Sequence, residues 1–114
     1  MSAITTHVLD ISLGRPAAGV PVTLEVEAGA ESWKLVGKGS TDTDGRLATL
    51  LPPGTALAEG TYRLTFDTGA YYRGRNRPSF YPQVAVVFSV RDPAQRYHVP
   101  LLVSPYGYST YRGS

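Results

Sequence analysis

Hydrophobic and polar positions alternate with a period of two along much of this chain. Val20, Val22, Leu24 and Val26 interleave with Pro21, Thr23, Glu25 and Glu27, and Tyr62, Leu64 and Phe66 interleave with Thr61, Arg63, Thr65 and Asp67. Successive side chains of a strand point to opposite faces, so this alternation marks strands with one buried and one wet face. Trp33 and Leu35 against Lys34 and Val36 repeat the pattern less cleanly. Turn formers fall between the runs: Ala28-Gly29-Ala30, Asp44-Gly45, Pro52-Pro53-Gly54, Glu59-Gly60 and Ser104-Pro105-Tyr106-Gly107. The pattern predicts strands over residues 4–12, 20–28, 32–40, 47–51, 61–67, 82–90, 95–104 and 107–112. Residues 68–76 lack alternation and stop before Arg77-Pro78, which predicts a short helix capped by Thr68, with Gly69 and Gly74 weakening it. Eight short strands and one helical insertion fit an all-β sandwich. The 114 residues suffice for one domain, 1–114, and show no internal repeat, low-complexity segment or linker.

Two segments depart from simple alternation. In 97–103, Tyr97, Val99, Leu101 and Val103 suit the core, yet the opposite face carries His98, Pro100 and Leu102 where water would favour polar residues. In 84–90, Val84, Val86, Phe88 and Val90 face one way and Ala85 and Val87 the other. Strands apolar on both faces need cover on both sides. In so short a chain the second cover is expected from another subunit, whose apolar contact at about 25 cal/mol per Å² offsets part of the cost of association.

Composition excludes several classes. Hydrophobic residues make up 42% of the chain, enough for a core, and the net charge of +2 is too small for a general phosphate-backbone binder, although the pI is near 9.0. Without cysteine there is no disulfide, thiolate metal site, thiol nucleophile or iron–sulfur cluster, which suits a reducing compartment. No apolar run reaches the roughly 20 residues of a membrane span. The start, Met1-Ser2-Ala3-Ile4-Thr5-Thr6-His7, lacks a basic stretch and an apolar signal core, and the end carries no lipidation or peroxisomal address. A cytoplasmic location is expected, with neither nucleic acid nor membrane as partner.

The reactive inventory is short. The only histidines are His7 and His98, both on predicted strands, and His98 lies on the anomalous outward face. Imidazole titrates near pH 6.5 and exchanges protons at neutral pH, although a lone strand histidine is more often structural. Arg46 follows the turn Asp42-Thr43-Asp44-Gly45, where an arginine is ordinarily solvent-facing. Asp42-x-Asp44-Gly45 lacks the further ligands of a calcium loop, and Gly37-Lys38-Gly39 lacks the spacing of a phosphate loop. Arg73, Arg75 and Arg77 beside Tyr71 and Tyr72 offer cation-and-ring chemistry for single-stranded RNA, but a solvated helix face is the better reading because no basic track continues them. Two histidines are too few for a metal site without suitably spaced carboxylates, and no nucleophile elbow is present.

Four segments together form a pattern. His7-Val8-Leu9-Asp10, Thr43-Asp44-Gly45-Arg46, Phe80-Tyr81-Pro82, and Tyr97-His98-Val99-Pro100-Leu101-Leu102 followed by Ser104 to Tyr111-Arg112-Gly113-Ser114 resemble the transthyretin-like 5-hydroxyisourate hydrolases. The resemblance spans nearly the whole chain. The terminal Tyr-Arg-Gly-Ser is its most specific part, because it separates the enzymes from transthyretin, the hormone carrier of the same fold. Tyr81 is a small departure, standing where many members have a second phenylalanine.

The resemblance implies two four-stranded sheets with a short helix, a homotetramer, and active sites in a channel where two dimers meet. His7, His98, Pro100, Leu102 and Tyr111 would line that channel. The implied reaction opens the ring of 5-hydroxyisourate, the product of urate oxidation, to 2-oxo-4-hydroxy-4-carboxy-5-ureidoimidazoline, with no metal or organic cofactor. In that scheme His7 and His98 share the proton work, and Arg46 supplies charge and planar donors to the substrate oxygens. Tyr111 and Arg112 narrow the channel and hold the substrate, while Ser114, through its hydroxyl or terminal carboxylate, orients a histidine or the water. Which histidine is the base stays open at this level. The alternative is a transthyretin-like small-ligand carrier without catalysis, for which Tyr111 and Arg112 would obstruct the channel.

Overall fold

The computed structural model describes residues 3–114, so Met1 and Ser2, the first residues of the expected domain, lie outside it. In chain order the elements are β1 (Ile4–Asp10), β2 (Arg15–Pro16), β3 (Pro21–Glu27), β4 (Trp33–Ser40), β5 (Arg46–Leu47), β6 (Gly60–Phe66), α1 (Thr68–Arg73), β7 (Val84–Val90), β8 (Tyr97–Ser104) and β9 (Gly107–Thr110). They form a sandwich of two sheets. One sheet has the order β4-β3-β6-β7; the other runs β2-β1-β8-β9, with β5 paired to β1.

The alternating runs fill the space between the sheets. Ile4 and Val8 from β1, Val22 and Leu24 from β3, Leu64 and Phe66 from β6, and Leu101 from β8 are all buried. Tyr97, Val99, Leu101 and Val103 are buried as their spacing predicts. β1 and β8 pair in parallel over their whole shared length, Ile4 with Tyr97 through Asp10 with Val103. This register sets the outward residues of β1 (Thr5, His7) beside those of β8 (His98, Pro100).

Several expectations are corrected. The strand expected over 47–51 contracts to Arg46–Leu47, which ladders with Thr6 and His7 before the chain leaves the sheet. The first strand ends at Asp10 instead of residue 12, because Leu13 and Gly14 fold back onto the Asp10 carbonyl in a tight turn. The returning chain adds β2, which alternation could not reveal in two residues. With β5 standing for the expected 47–51 strand, the added β2 makes the first sheet five-stranded instead of four-stranded. The helix is capped by Asp67 and not by Thr68: the Asp67 carboxylate accepts from Ala70 N at 3.0 Å, whereas the Thr68 hydroxyl is buried without a partner. The untidy alternation around Trp33 has a cause. The β3–β4 register shifts at Leu24/Glu25, so Val36 is an extra residue opposite the break. Leu35 is left 55% exposed while Val36 packs toward the core.

Tyr71 and Tyr72 are buried in the core, and the Arg75 guanidinium lies over the Tyr71 ring at 4.7 Å. The rings are therefore not available to stack on bases. Part of the unusual outward face of β8 is covered by the chain itself. Gly113 bridges back to His98, donating its N–H to the His98 carbonyl at 2.8 Å, and Pro100 is buried beneath this tail. Leu102 and His98 remain half-buried there.

Candidate active site

The outward face of the five-stranded sheet carries an open cleft of about 700 Å³, lined by Thr5, Thr6, Arg46, Leu47, Ala48, Arg96, His98, Arg112, Gly113 and Ser114. Three strands and the tail meet here. β8 supplies His98, β1 supplies Thr5 and the neighbouring His7, and β5 supplies Arg46. His7 and Arg46 are register partners, as are Thr5 and His98.

Arg46 owes its place to a self-closed loop. Asp42 Oδ1 accepts from the backbone N–H of Asp44 at 2.8 Å and of Arg46 at 3.0 Å, and the Asp42 N–H donates to the Arg46 carbonyl at 2.9 Å. These backbone donors, that of Arg46 foremost, hold the Asp42 carboxyl below its ordinary pKa. Gly45 adopts φ +75°, and a methyl group there would lie 2.4 Å from the Val8 carbonyl oxygen, so only glycine lets the loop lie against β1. The loop in turn holds His7, whose Nε2–H donates to the Asp44 carbonyl at 2.9 Å. A carbonyl oxygen only accepts, so Nε2 carries a proton and Nδ1 is the unprotonated nitrogen of neutral His7.

His98 is gripped on two sides. Its Nδ1 lies 2.8 Å from the Thr5 hydroxyl. A methyl group at Gly113 would come within 2.6 Å of His98 Cδ2 and 3.2 Å of Pro100 Cγ, so the bare glycine packs directly on the ring. Desolvation, then the charges of Arg46 and His7, lower the His98 pKa below the usual histidine value. His98 is consequently neutral at physiological pH.

The tail is latched to the loop before β8. Arg112 Nη2 donates to Gln95 Oε1 at 3.1 Å and to the Arg96 carbonyl at 3.2 Å, and its guanidinium lies 4.6 Å from the Tyr97 ring centre. With Arg46, Arg96 and Arg112 around it and no carboxylate side chain in its lining, the cleft favours an oxygen-rich or anionic guest.

Of the residues singled out from sequence, Arg46, His98, Arg112 and Ser114 line this cleft, and His7 adjoins it across the β1–β5 register. Tyr111 lines a different groove, with Val86, Phe88 and Val99 between β7 and β8. Within one protomer Tyr111 is therefore not brought to His98 as expected. Thr5, Gly113, Gln95 and Asp42 carry the site's geometry; sequence reading noted Asp42 in the turn before Arg46 and Gly113 in the terminal segment but gave none of the four this role. The alternation of β1 places Thr5 on the wet face with His7, but only the parallel pairing with a strand 93 residues away discloses its partner.

Residues 4–113 match the family described as HIUase/Transthyretin. The chain belongs to that family. Mouse 5-hydroxyisourate hydrolase is 46% identical over 114 residues, covering 99% of this chain and 96% of the mouse protein. The solved 5-hydroxyisourate hydrolase of Klebsiella pneumoniae superposes with a TM-score of 0.86 at 38% identity, each chain covered completely. Transthyretin from Sparus aurata superposes with a TM-score of 0.91 at 27% identity, covering 99% of this chain and 97% of the other. Within the HIUase/Transthyretin family the backbone thus follows 5-hydroxyisourate hydrolase and transthyretin alike, and shape alone does not separate the two.

Proposed function

We propose that this protein is a hydrolase of urate degradation that opens the ring of 5-hydroxyisourate in the His98 cleft, without a cofactor. The observation that carries this reading is the convergence of a neutral imidazole, a loop-anchored guanidinium and a second imidazole on one open, cationic face. Sequence identity to 5-hydroxyisourate hydrolases across the full chain supports the substrate.

His98 acts as general base. Neutral at working pH, it accepts a proton from water as the water oxygen attacks the carbonyl carbon of the ring's amide-like bond. Charge develops on the carbonyl oxygen, and Arg46 is placed to stabilise it with fixed planar donors. The C–N bond then breaks, the ring nitrogen takes a proton, and a carboxylate is released into a cleft ringed by arginines. His7, pinned through Nε2, orients the heterocycle with Nδ1. Ser114 orients the water or a histidine. Arg112, latched to Gln95, walls the cleft and holds the substrate against its rim.

The working form is a homotetramer. β7 and β9 are edge strands lying side by side around the Tyr111 groove, and exposed Phe80, Tyr106 and Ile11 cluster at one end of the sandwich. In such an assembly Tyr111 belongs to the wall of the channel that association creates, which reconciles its position with a role in holding substrate. Among the described residues no helix is long and apolar enough to cross a membrane. A cytoplasmic location fits the absence of cysteine.

The test is a coupled assay with urate and urate oxidase, following the ultraviolet absorbance of the intermediate. Decay faster than the spontaneous rate is expected. Unchanged decay would favour the carrier reading, to which the transthyretin superposition lends its fold.

A further inference from the structure

The site has an asymmetry that the reaction scheme does not use. His7 is tied to a backbone carbonyl, which dictates its protonated nitrogen. His98 is tied to a hydroxyl, which is able to donate or accept, so Thr5 leaves the tautomer to be fixed by the surroundings. Those surroundings are mainly cationic. Arg46, Arg96 and Arg112 line the same cleft and His7 adjoins it, with the terminal carboxylate of Ser114 the one group of opposite sign in the lining. A neutral imidazole beside guanidinium charge is most stable with a lone pair toward the cations and its N–H directed away. Among the described residues the Thr5 hydroxyl has no partner other than His98, and it lines the cleft, so its own proton can point into the cleft.

We propose that Thr5 is a positioning residue for this reaction: its hydroxyl accepts the Nδ1 proton of His98 and holds the ring in the tautomer whose bare Nε2 faces the substrate. The proposal rests on the hydrolase reading for its kinetic consequence but not for its structural content. It explains why a threonine stands on the wet face of β1 directly across from His98. It also explains how one imidazole becomes the base: an Nε2–H tautomer would present a donor to the attacking water and could not accept its proton.

The test uses Thr5→Val, which keeps the branched shape and removes the hydroxyl, and Thr5→Ser, which keeps the hydroxyl. Nitrogen-15 NMR of the His98 ring in the free protein reads the tautomer without any substrate. Protonated Nδ1 is expected in the native protein and in Thr5→Ser, and a mixture in Thr5→Val. In the coupled assay Thr5→Val is expected to lower kcat roughly 10–100-fold with little change in KM, and Thr5→Ser to restore it. The pH profile separates the two directions of the bond. A bond donated by Nδ1–H is stronger in the imidazolium, so its loss moves the acid limb of kcat/KM to lower pH. A bond donated by Thr5 stabilises only the neutral ring, so its loss moves the limb to higher pH. An Nε2–H tautomer in the native protein, an upward shift, or a Thr5→Val protein with native tautomer and kinetics would each overturn the proposal. Absence of any hydrolysis by the native protein would overturn the hydrolase reading instead, leaving the NMR result to decide on Thr5.

Discussion

At the residue scale the chemistry depends on how firmly one ring is held. His98 is half-buried, and its lowered pKa has a stated sign. A base that must be neutral keeps working until pH falls through that pKa, so the acid limb of kcat/KM is expected below the ordinary histidine value of about 6.5. The same shift makes folding stability rise with pH between the folded-state value and about 6.5, since the unfolded chain binds more protons there. A pH–rate series and a pH series of urea midpoints check the two consequences separately. Replacing His98 with Asn or Arg46 with Gln is expected to lower turnover by roughly 10²–10⁴-fold, measured in the coupled assay on protein shown to be folded by circular dichroism. Gly113→Ala tests the grip on the ring from the other side. Its methyl would meet His98 Cδ2 at 2.6 Å, so the imidazole or the tail must move. A fall in kcat of about 10–100-fold with a nearly unchanged Tm is expected, because the tail covers Pro100 and the His98 ring on the outer face of the sheet and adds nothing to the core between the sheets.

At the element scale, β1 serves both the core and the site, and its far end is tied to α1. Asp10 is fully buried and receives the Tyr71 hydroxyl at 2.9 Å on Oδ2, while Ser12 donates its N–H at 3.0 Å to Oδ1. Burial first, then the Asp10 carboxylate, pushes the Tyr71 hydroxyl up to about 12, so it remains a donor throughout the useful pH range. Tyr71→Phe removes that donor from a buried carboxylate and is expected to cost about 1–3 kcal/mol in urea unfolding while sparing kcat. The interaction also shows what the sequence could and could not disclose. Alternation announced β3 and β6 because their faces differ in polarity along the whole element, while β8 stood out by carrying apolar residues on both faces. It was silent on β2 and overextended β5, each of which is two residues long and exists only because β1 offers it a ladder. It misplaced the helix cap by one residue, since Asp67 and Thr68 are both good caps and only the backbone at Asp67 decides between them. His7, Arg46 and His98 were legible as chemistry because family resemblance and an apolar outward face drew attention to them. Thr5 and Gly113 were not, because their roles lie in the parallel β1–β8 register and in the return of the tail, both of them long-range facts.

At the scale of the whole molecule the two sheets leave surfaces that one protomer does not use. The Phe80 N–H donates to the Pro105 carbonyl at 2.7 Å and the Ile11 N–H to the Val103 carbonyl at 2.9 Å, which gathers the 11–14 turn, the 77–82 segment and the β8–β9 hairpin at one end. Phe80 and Tyr106 are each 69% exposed and Ile11 is 58% exposed, and Phe80, Tyr81 and Tyr108 stack edge to face. Exposed aromatic residues of this kind on a small protein suit a contact with another protein, and in the proposed tetramer identical copies supply it by symmetry. Tyr106 is the residue to change, because it projects from the hairpin turn and its loss removes no buried packing. In a lone protomer Tyr106→Lys would alter stability by no more than about 0.5 kcal/mol. In the proposed tetramer it places charge inside an apolar contact. Light scattering is therefore expected to show a smaller particle for Tyr106→Lys at concentrations where the native protein is tetrameric, with specific activity falling in parallel and recovering as the variant is concentrated. A variant that stayed tetrameric, or that dissociated with full activity, would separate the catalytic cleft from assembly and leave the His98 face complete within a single chain.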